Sequence, residues 1–78
     1  MEKYYYKIKP EIKDMIKKDK NITNRKIESI AGIEECLASL ILNGRKLNIR
    51  KSTAYAYTKC LNKDWEIRDV FEIIEKNS

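Results

Sequence analysis

Apolar side chains recur along much of this chain at the spacing of amphipathic helices. After Pro10, the residues Ile12, Met15 and Ile16 share one helical face, and lysines occupy the opposite face. Proline suits the first turn of a helix, because its missing N–H has no partner there. Apolar residues three and four positions apart form a stripe that a helix can bury. A first helix is therefore predicted at about 10–19.

Four more helices are predicted from the same spacing and from the turn signals between them. They are expected at about 24–31, 34–42, 51–61 and 65–76. Gly32 ends the helix at 24–31, and the pair Asn43-Gly44 ends the helix at 34–42. A left-handed backbone is often required at such positions. The last helix is predicted from an i, i+3, i+4, i+7 pattern, formed by Ile67, Val70, Phe71 and Ile74.

The first nine residues follow a different pattern. Tyr4, Tyr6 and Ile8 alternate with Tyr5 and Lys7, which is the period of a β-strand. The same residues would also suit an arm whose rings pack on the helices. The pattern therefore predicts residues 1–9 as an N-terminal arm or short strand. Residues 10–76 are predicted to form one compact all-α domain of five helices.

Three segments in this order resemble the lambda-repressor/Cro-like (Xre-type) helix-turn-helix family. They are ITNRKIESIAGIEECLASLILNG (22–44), TAYAYTKCL (53–61) and IRDVFE (67–72). The spacing from Gly32 to Asn43-Gly44 carries most of the resemblance. The resemblance implies a small phage-type transcriptional regulator that binds double-stranded operator DNA in a genetic switch. Some small proteins of this kind are instead antirepressors, or modulators of repression, which bind a repressor of the same class.

Charge is distributed in blocks along the chain, although the net charge is only +5. Residues 43–63 carry six basic side chains and no acidic one, whereas residues 27–42 carry three glutamates and no basic residue. A concentrated basic block is typical of a phosphate-binding surface. It is equally compatible with a solvated lysine face.

The family resemblance assigns two sets of candidate site residues. Residues that would contact DNA phosphates are Thr23, Asn24, Arg25, Asn43, Arg45, Lys46, Asn48, Arg50 and Lys51. Residues on the third helix that would face the bases, or a partner protein, are Glu34, Glu35, Cys36, Leu37 and Leu40. In this family the third helix lies in the major groove, and its flanks hold the DNA backbone.

The base-facing set differs from the usual chemistry of DNA reading. A glutamate can accept a hydrogen bond from cytosine N4, but two adjacent carboxylates approach a phosphate-lined groove. Leu37 and Leu40 would project beside Cys36, and exposed apolar clusters favour a protein partner. The alternative is that both leucines belong to the core. Glu28 also stands where the family usually has a small residue between the second and third helices.

Catalysis and cofactor binding are not expected from this sequence. There is no histidine, no Cys-x-x-Cys spacing and no glycine-rich phosphate loop. Metal ligation, a small-molecule substrate and membrane insertion are likewise not expected. Two cysteines do not make a disulfide framework, so they are interpreted as free thiols in the cytoplasm. Two partner classes are predicted, operator DNA or a repressor protein, and the sequence leaves a homodimer open.

Overall fold

The two ends of the chain pair with each other in the computed structural model, which describes residues 3–76. Strand β1 (Tyr4–Ile8) runs antiparallel to strand β2 (Phe71–Glu75), with Tyr4 opposite Glu75 and Ile8 opposite Phe71. Five helices lie between them: α1 (Pro10–Lys18), α2 (Asn24–Ala31), α3 (Glu35–Leu42), α4 (Lys51–Leu61) and α5 (Ile67–Val70). The fold is therefore a mixed α/β arrangement, and the all-α prediction is wrong.

The error lies in the last predicted helix, 65–76. Helix α5 begins after Glu66, which exchanges capping hydrogen bonds with Asp69, but it ends at Val70. From Phe71 onward successive side chains lie on opposite faces of the sheet, and Phe71 is buried whereas Ile73 and Ile74 are exposed. A helix would have put Phe71 and Ile74 on one stripe. Pairing with the tyrosine-rich β1 satisfies the backbone of this segment and suits its β-branched isoleucines.

The other four helices lie within one residue of their predicted ends. Helix α1 ends at Lys18, α3 begins at Glu35, and α2 and α4 have the predicted limits. Of the two structures left open for the N-terminus, β1 is a strand over Tyr4–Ile8. The spacing of apolar residues thus predicted helices α1 to α4. It did not predict β2, whose partner strand β1 is distant in sequence.

Three aromatic rings join the sheet to the helices at the centre of the core. Phe71 contacts Tyr6 edge to face at 6.3 Å between ring centroids, and contacts Tyr57 of α4 at 5.7 Å. Such edge-to-face pairs are a favourable arrangement of aromatic side chains. Thr58, also buried, donates its hydroxyl to the Ala54 carbonyl oxygen at 2.8 Å. The sheet is therefore integrated into the core and is not an appended arm.

The basic segment between α3 and α4 is held against β1. The backbone N–H of Tyr6 donates to the Leu47 carbonyl oxygen at 3.0 Å, and Ile49 is buried. This contact lies on the edge of β1 opposite to β2, since hydrogen bonds alternate along an antiparallel strand. The backbone of the segment is thus held against the sheet, while its cationic side chains are exposed. None of the helices described within residues 3–76 is long and apolar enough to cross a membrane.

Candidate nucleic-acid interface

Helices α2 and α3 form a helix-turn-helix unit with a short, well-defined turn. Gly32 has φ of 70°, in the left-handed region that favours glycine, and Ile33 is buried beneath the turn. At the other end of α2, the Thr23 hydroxyl oxygen accepts a hydrogen bond from the Lys26 backbone N–H at 3.1 Å. A threonine cap of this kind satisfies one of the open donors of the first helical turn.

The Glu28 side chain caps the neighbouring helix. The backbone N–H of Glu35 donates to Glu28 Oε2 at 2.8 Å. Glu34, the residue that precedes α3, makes no side-chain capping bond. A carboxylate at a helix N-terminus is favourable for the helix dipole. The glutamate at 28 therefore joins α2 to α3 through its carboxylate, where a small residue would rely on close packing.

The outward side of α3 is more polar than predicted. Ala38 and Ile41 are buried, and Leu37 and Leu42 pack against the core. Leu40 is only partly exposed. Leu37 and Leu40 are therefore both partly buried, so the apolar surface that they offer to a partner is smaller than two fully exposed leucines would give.

Two residues that the sequence reasoning did not place on this face belong to it. Cys36, Ser39 and Asn43 follow one another at i, i+3 and i+7, so they lie along one side of the helix. Glu34, Glu35 and Cys36, which were predicted to be there, are exposed. Ala38 and Ile41 are the buried residues of α3, and Ser39 lies on the side of the helix away from them.

Two pairs of cations occupy the ends of the unit that are remote from the turn. Arg25 and Lys26 lie in the first turn of α2, and Arg45 and Lys46 follow the C-terminus of α3. The backbone N–H groups of Arg45 and Lys46 both donate to the Leu40 carbonyl oxygen, at 2.9 and 3.3 Å. All four side chains are exposed, and none has an ion-pair partner within residues 3–76.

Other members of the predicted phosphate set have structural roles or lie elsewhere. Asn43 donates its amide to the Ser39 carbonyl oxygen at 3.0 Å and so closes the end of α3. Asn48 accepts a hydrogen bond from Lys76 Nζ at 2.6 Å. Lys51 lines a groove beside the sheet. Asn24 is the first residue of α2, and Arg50 is exposed immediately before α4.

Opposite charges therefore mark opposite ends of the helix-turn-helix unit. Glu28, Glu34 and Glu35 surround the turn, whereas the cations at 25, 26, 45 and 46 lie at the far ends of α2 and α3. Cations at separate points along a surface can neutralise separate phosphates of a duplex. The carboxylates at the turn would repel phosphate and attract a donor.

The described residues offer little for other chemistry. Between residues 3 and 76 there is no cluster of three or more histidine, cysteine or carboxylate groups able to hold a metal ion. Both cysteines are free thiols; Cys36 is exposed, and Cys60 is partly buried. Burial raises the pKa of the Cys60 thiol, and the nearby Lys26 charge opposes this effect.

Comparison with known proteins does not assign the chain to a family. No family model, no curated protein and no solved structure gave a significant match to it.

Proposed function

We propose that this protein is a small helix-turn-helix transcriptional regulator that binds double-stranded operator DNA. The observation that carries the proposal is the arrangement of α2 and α3, with pairs of exposed cations at both ends of the unit and without ion-pair partners among the described residues. The sequence resemblance to lambda-repressor/Cro-like proteins supports the finer proposal that it acts in a phage-type genetic switch.

Phosphate binding is the part of the proposed mechanism that the side chains support most directly. Arg45 and Lys46 follow α3, Arg25 lies in the first turn of α2, and each can neutralise a backbone phosphate. The Thr23 hydroxyl accepts its capping bond through oxygen, so its proton is available to a phosphate oxygen. These contacts would fix the position of α3 on the duplex without reading its sequence.

Base reading would fall to the outward side of α3. Ser39 can donate or accept at a base edge, and Leu40 offers an apolar contact for a thymine methyl group. Glu34 and Glu35 can accept from cytosine N4, which makes cytosine-containing sites the expected preference near the turn. The same carboxylates lower affinity for any duplex, because they approach phosphates.

The first test measures binding to a random-sequence duplex by fluorescence anisotropy across a salt series. We expect affinity that falls steeply as salt rises, since cations displace counterions from the phosphates. In the double variant Arg45→Ala/Lys46→Ala, the slope of log K against log salt should be smaller in magnitude by about 2, about 1 for each lost phosphate contact.

A matched control separates a local contact from the effect of net charge. Lys17→Ala/Lys18→Ala removes two exposed cations from the last turn of α1, outside the helix-turn-helix unit. We expect this variant to retain most of the affinity and of the slope. Equal losses in the two variants, or a wild-type protein without measurable affinity at low salt, would refute the proposed interface.

A second candidate function is favoured by the carboxylates at the turn. Glu28, Glu34 and Glu35 form an acidic surface at the start of α3, and such a surface complements the basic DNA-reading face of another helix-turn-helix repressor. The protein would then be an antirepressor. The partial burial of Leu37 and Leu40 leaves this interface without the apolar centre that the sequence predicted.

One variant distinguishes the two functions without knowledge of the operator. If α3 lies in the groove, Glu34→Gln/Glu35→Gln should raise affinity for random duplex DNA several-fold, because two charges near the phosphates are removed. If α3 faces a protein, this DNA affinity should not change beyond that of Glu11→Gln/Asp14→Asn on α1. The control pair is exposed and has the same change in charge.

A further inference from the structure

Strand β2 has one edge that is not paired within the described chain. Lys9 N–H donates to the Val70 carbonyl oxygen and Lys76 N–H to the Lys3 carbonyl oxygen, so even-numbered residues of β2 bond to β1. By the alternation of an antiparallel ladder, the backbone groups of Ile73 and Glu75 point away from β1. Their N–H groups have no hydrogen-bond partner within residues 3–76.

Exposed apolar side chains concentrate at this edge. Five of the six large apolar residues that are exposed among the described residues lie on the sheet or in the adjacent groove: Tyr4, Tyr5, Ile73, Ile74 and Tyr55. The segment Phe71–Glu75 contains neither proline nor lysine. Proteins usually protect a free strand edge with proline or with charged residues, lysine above all. The charged residues of this strand are Glu72 and Glu75, which a basic surface of a second copy can neutralise.

The groove beside this edge carries the opposite charge to the strand. It has a volume of about 990 Å³ and is lined by Lys3, Lys51, Lys59, Arg68 and one acid, Glu66, among its apolar residues. Strand β2 itself carries two acids, Glu72 and Glu75. An acidic strand and a basic groove on one molecule make the surface self-complementary, as a two-fold symmetric interface requires.

We propose that two copies of this chain dimerise by antiparallel pairing of their β2 edges, forming a continuous four-stranded sheet. Pairing centred on Ile73 uses the free backbone groups of Ile73 and Glu75. It places the Phe71 carbonyl opposite Glu75 of the second copy, while the Phe71 N–H continues to donate to the Ile67 carbonyl oxygen. A register centred on Glu72 would instead put two glutamates directly opposite each other, which is unfavourable.

This register brings the strand of one copy to the basic groove of the other. Glu75 shares the inner face of the sheet with Phe71 and Ile73, because alternate residues lie on one face. In this register Glu75 of the second copy lies opposite Phe71 of the first. It is then close to Arg68 of the first copy, which precedes Phe71 by three residues and lines the same groove as Ile73. Arg68 pairs with Glu66 at 2.8 Å, but both side chains are largely exposed. Such a pair is weak and can be exchanged for a partner across the interface.

The dimer edge shares no residue with the proposed DNA-binding surface. The dimer therefore does not rest on the proposed function, and either can fail while the other holds. If both hold, the dimer carries two helix-turn-helix units related by a two-fold axis, which matches the symmetry of a palindromic site.

The experiment is sedimentation velocity across a protein series from low to high micromolar, without DNA. Wild type should shift from monomer to dimer. Ile73→Lys should remain monomeric over the same series. Ile30→Lys is the matched control, because Ile30 is an exposed isoleucine on α2, remote from the edge in sequence. It should dimerise like wild type. A wild-type protein that stays monomeric overturns the proposal, and would leave the edge to a strand from another protein.

A charge exchange tests the register and does not depend on how Ile73→Lys folds. Glu75→Lys and Arg68→Glu should each weaken dimerisation about tenfold or more, and the double variant should recover to within about threefold of wild type. Circular dichroism verifies that each variant retains the fold. Failure of the double variant to recover, with the fold intact, overturns the proposed pairing. Glu11→Lys, on α1, controls for net charge and should dimerise normally.

Discussion

At the scale of single residues, Tyr57 shows how the core constrains a polar group. Its ring is buried against Phe71, and its hydroxyl has no hydrogen-bond partner within residues 3–76. Burial raises the pKa of Tyr57, and the nearby Cys60 thiol raises it further. An unfolded tyrosine titrates near pH 10. The unfolded chain therefore loses the Tyr57 proton at a lower pH than the folded protein does. This group leaves the free energy of unfolding unchanged below about pH 10 and lowers it as the pH rises above that value.

Replacing Tyr57 with phenylalanine should leave stability at pH 7 unchanged or raise it by about 1 kcal/mol, because a buried hydroxyl without a partner is removed. It should also reduce the loss of stability above about pH 10. Urea unfolding at pH 7 and at alkaline pH measures both effects. Tyr55→Phe, at an exposed position of α4, should show neither. A loss of more than about 1 kcal/mol at pH 7 would mean that the hydroxyl is bonded.

At the scale of elements, the segment after Val70 is where local pattern and tertiary structure disagree. Ile67, Val70, Phe71 and Ile74 have the spacing of a buried helical face, but the residues from Phe71 onward form β2. The strand needs β1, which lies at the opposite end of the chain, to bond its backbone. The residues around Phe71–Glu75 in the sequence do not include β1. The spacing of the apolar residues in this segment therefore predicted a helix.

Two alanine substitutions on β2 distinguish a strand from a helix. Phe71 is 1% exposed and Ile74 is 40% exposed. Phe71→Ala should lower the free energy of unfolding by about 3 to 5 kcal/mol, which would unfold much of a domain of this size. Ile74→Ala should cost less than about 1 kcal/mol. Urea denaturation compares the two. Similar large costs at both positions would indicate the helix that the sequence predicted.

At the scale of the whole molecule, the basic block predicted from the sequence divides between two surfaces. Arg45 and Lys46 extend the helix-turn-helix unit, whereas Lys51 and Lys59 line the groove beside the sheet. Lys59 is further engaged, since its Nζ donates to the Lys63 and Trp65 carbonyl oxygens. A charge count along the sequence therefore overestimates the cations available to one phosphate surface.

The two thiols allow the proposed DNA-binding surface to be tested on the intact protein. Cys36 is exposed on the outward side of α3, and Cys60 is partly buried with a raised pKa. Cys36 should react faster with a thiol reagent because it is accessible. Saturating duplex DNA should slow Cys36 and leave the rate at Cys60 unchanged, as mass spectrometry can resolve. Undiminished labelling of Cys36 at saturation would place DNA elsewhere.

The sequence alone determined the helices whose partners are close along the chain. Gly32, the Thr23 cap and the apolar stripe of α2 specified the turn and its two flanking helices, because capping and left-handed turns depend on neighbouring residues. The same local rules predicted α1 and α4. The outward placement of Glu34, Glu35 and Cys36 came instead from the family resemblance, and all three side chains are exposed.

Tertiary structure alone decided what depends on contacts between distant residues. It converted the end of the last predicted helix into β2, turned Leu37 toward the core, and gave Glu28 a capping role across the turn. It also separated the cations of one sequence block onto two surfaces. Each of these results follows from a contact between different elements, whereas the periodicity of a sequence reports only which face of an element is apolar.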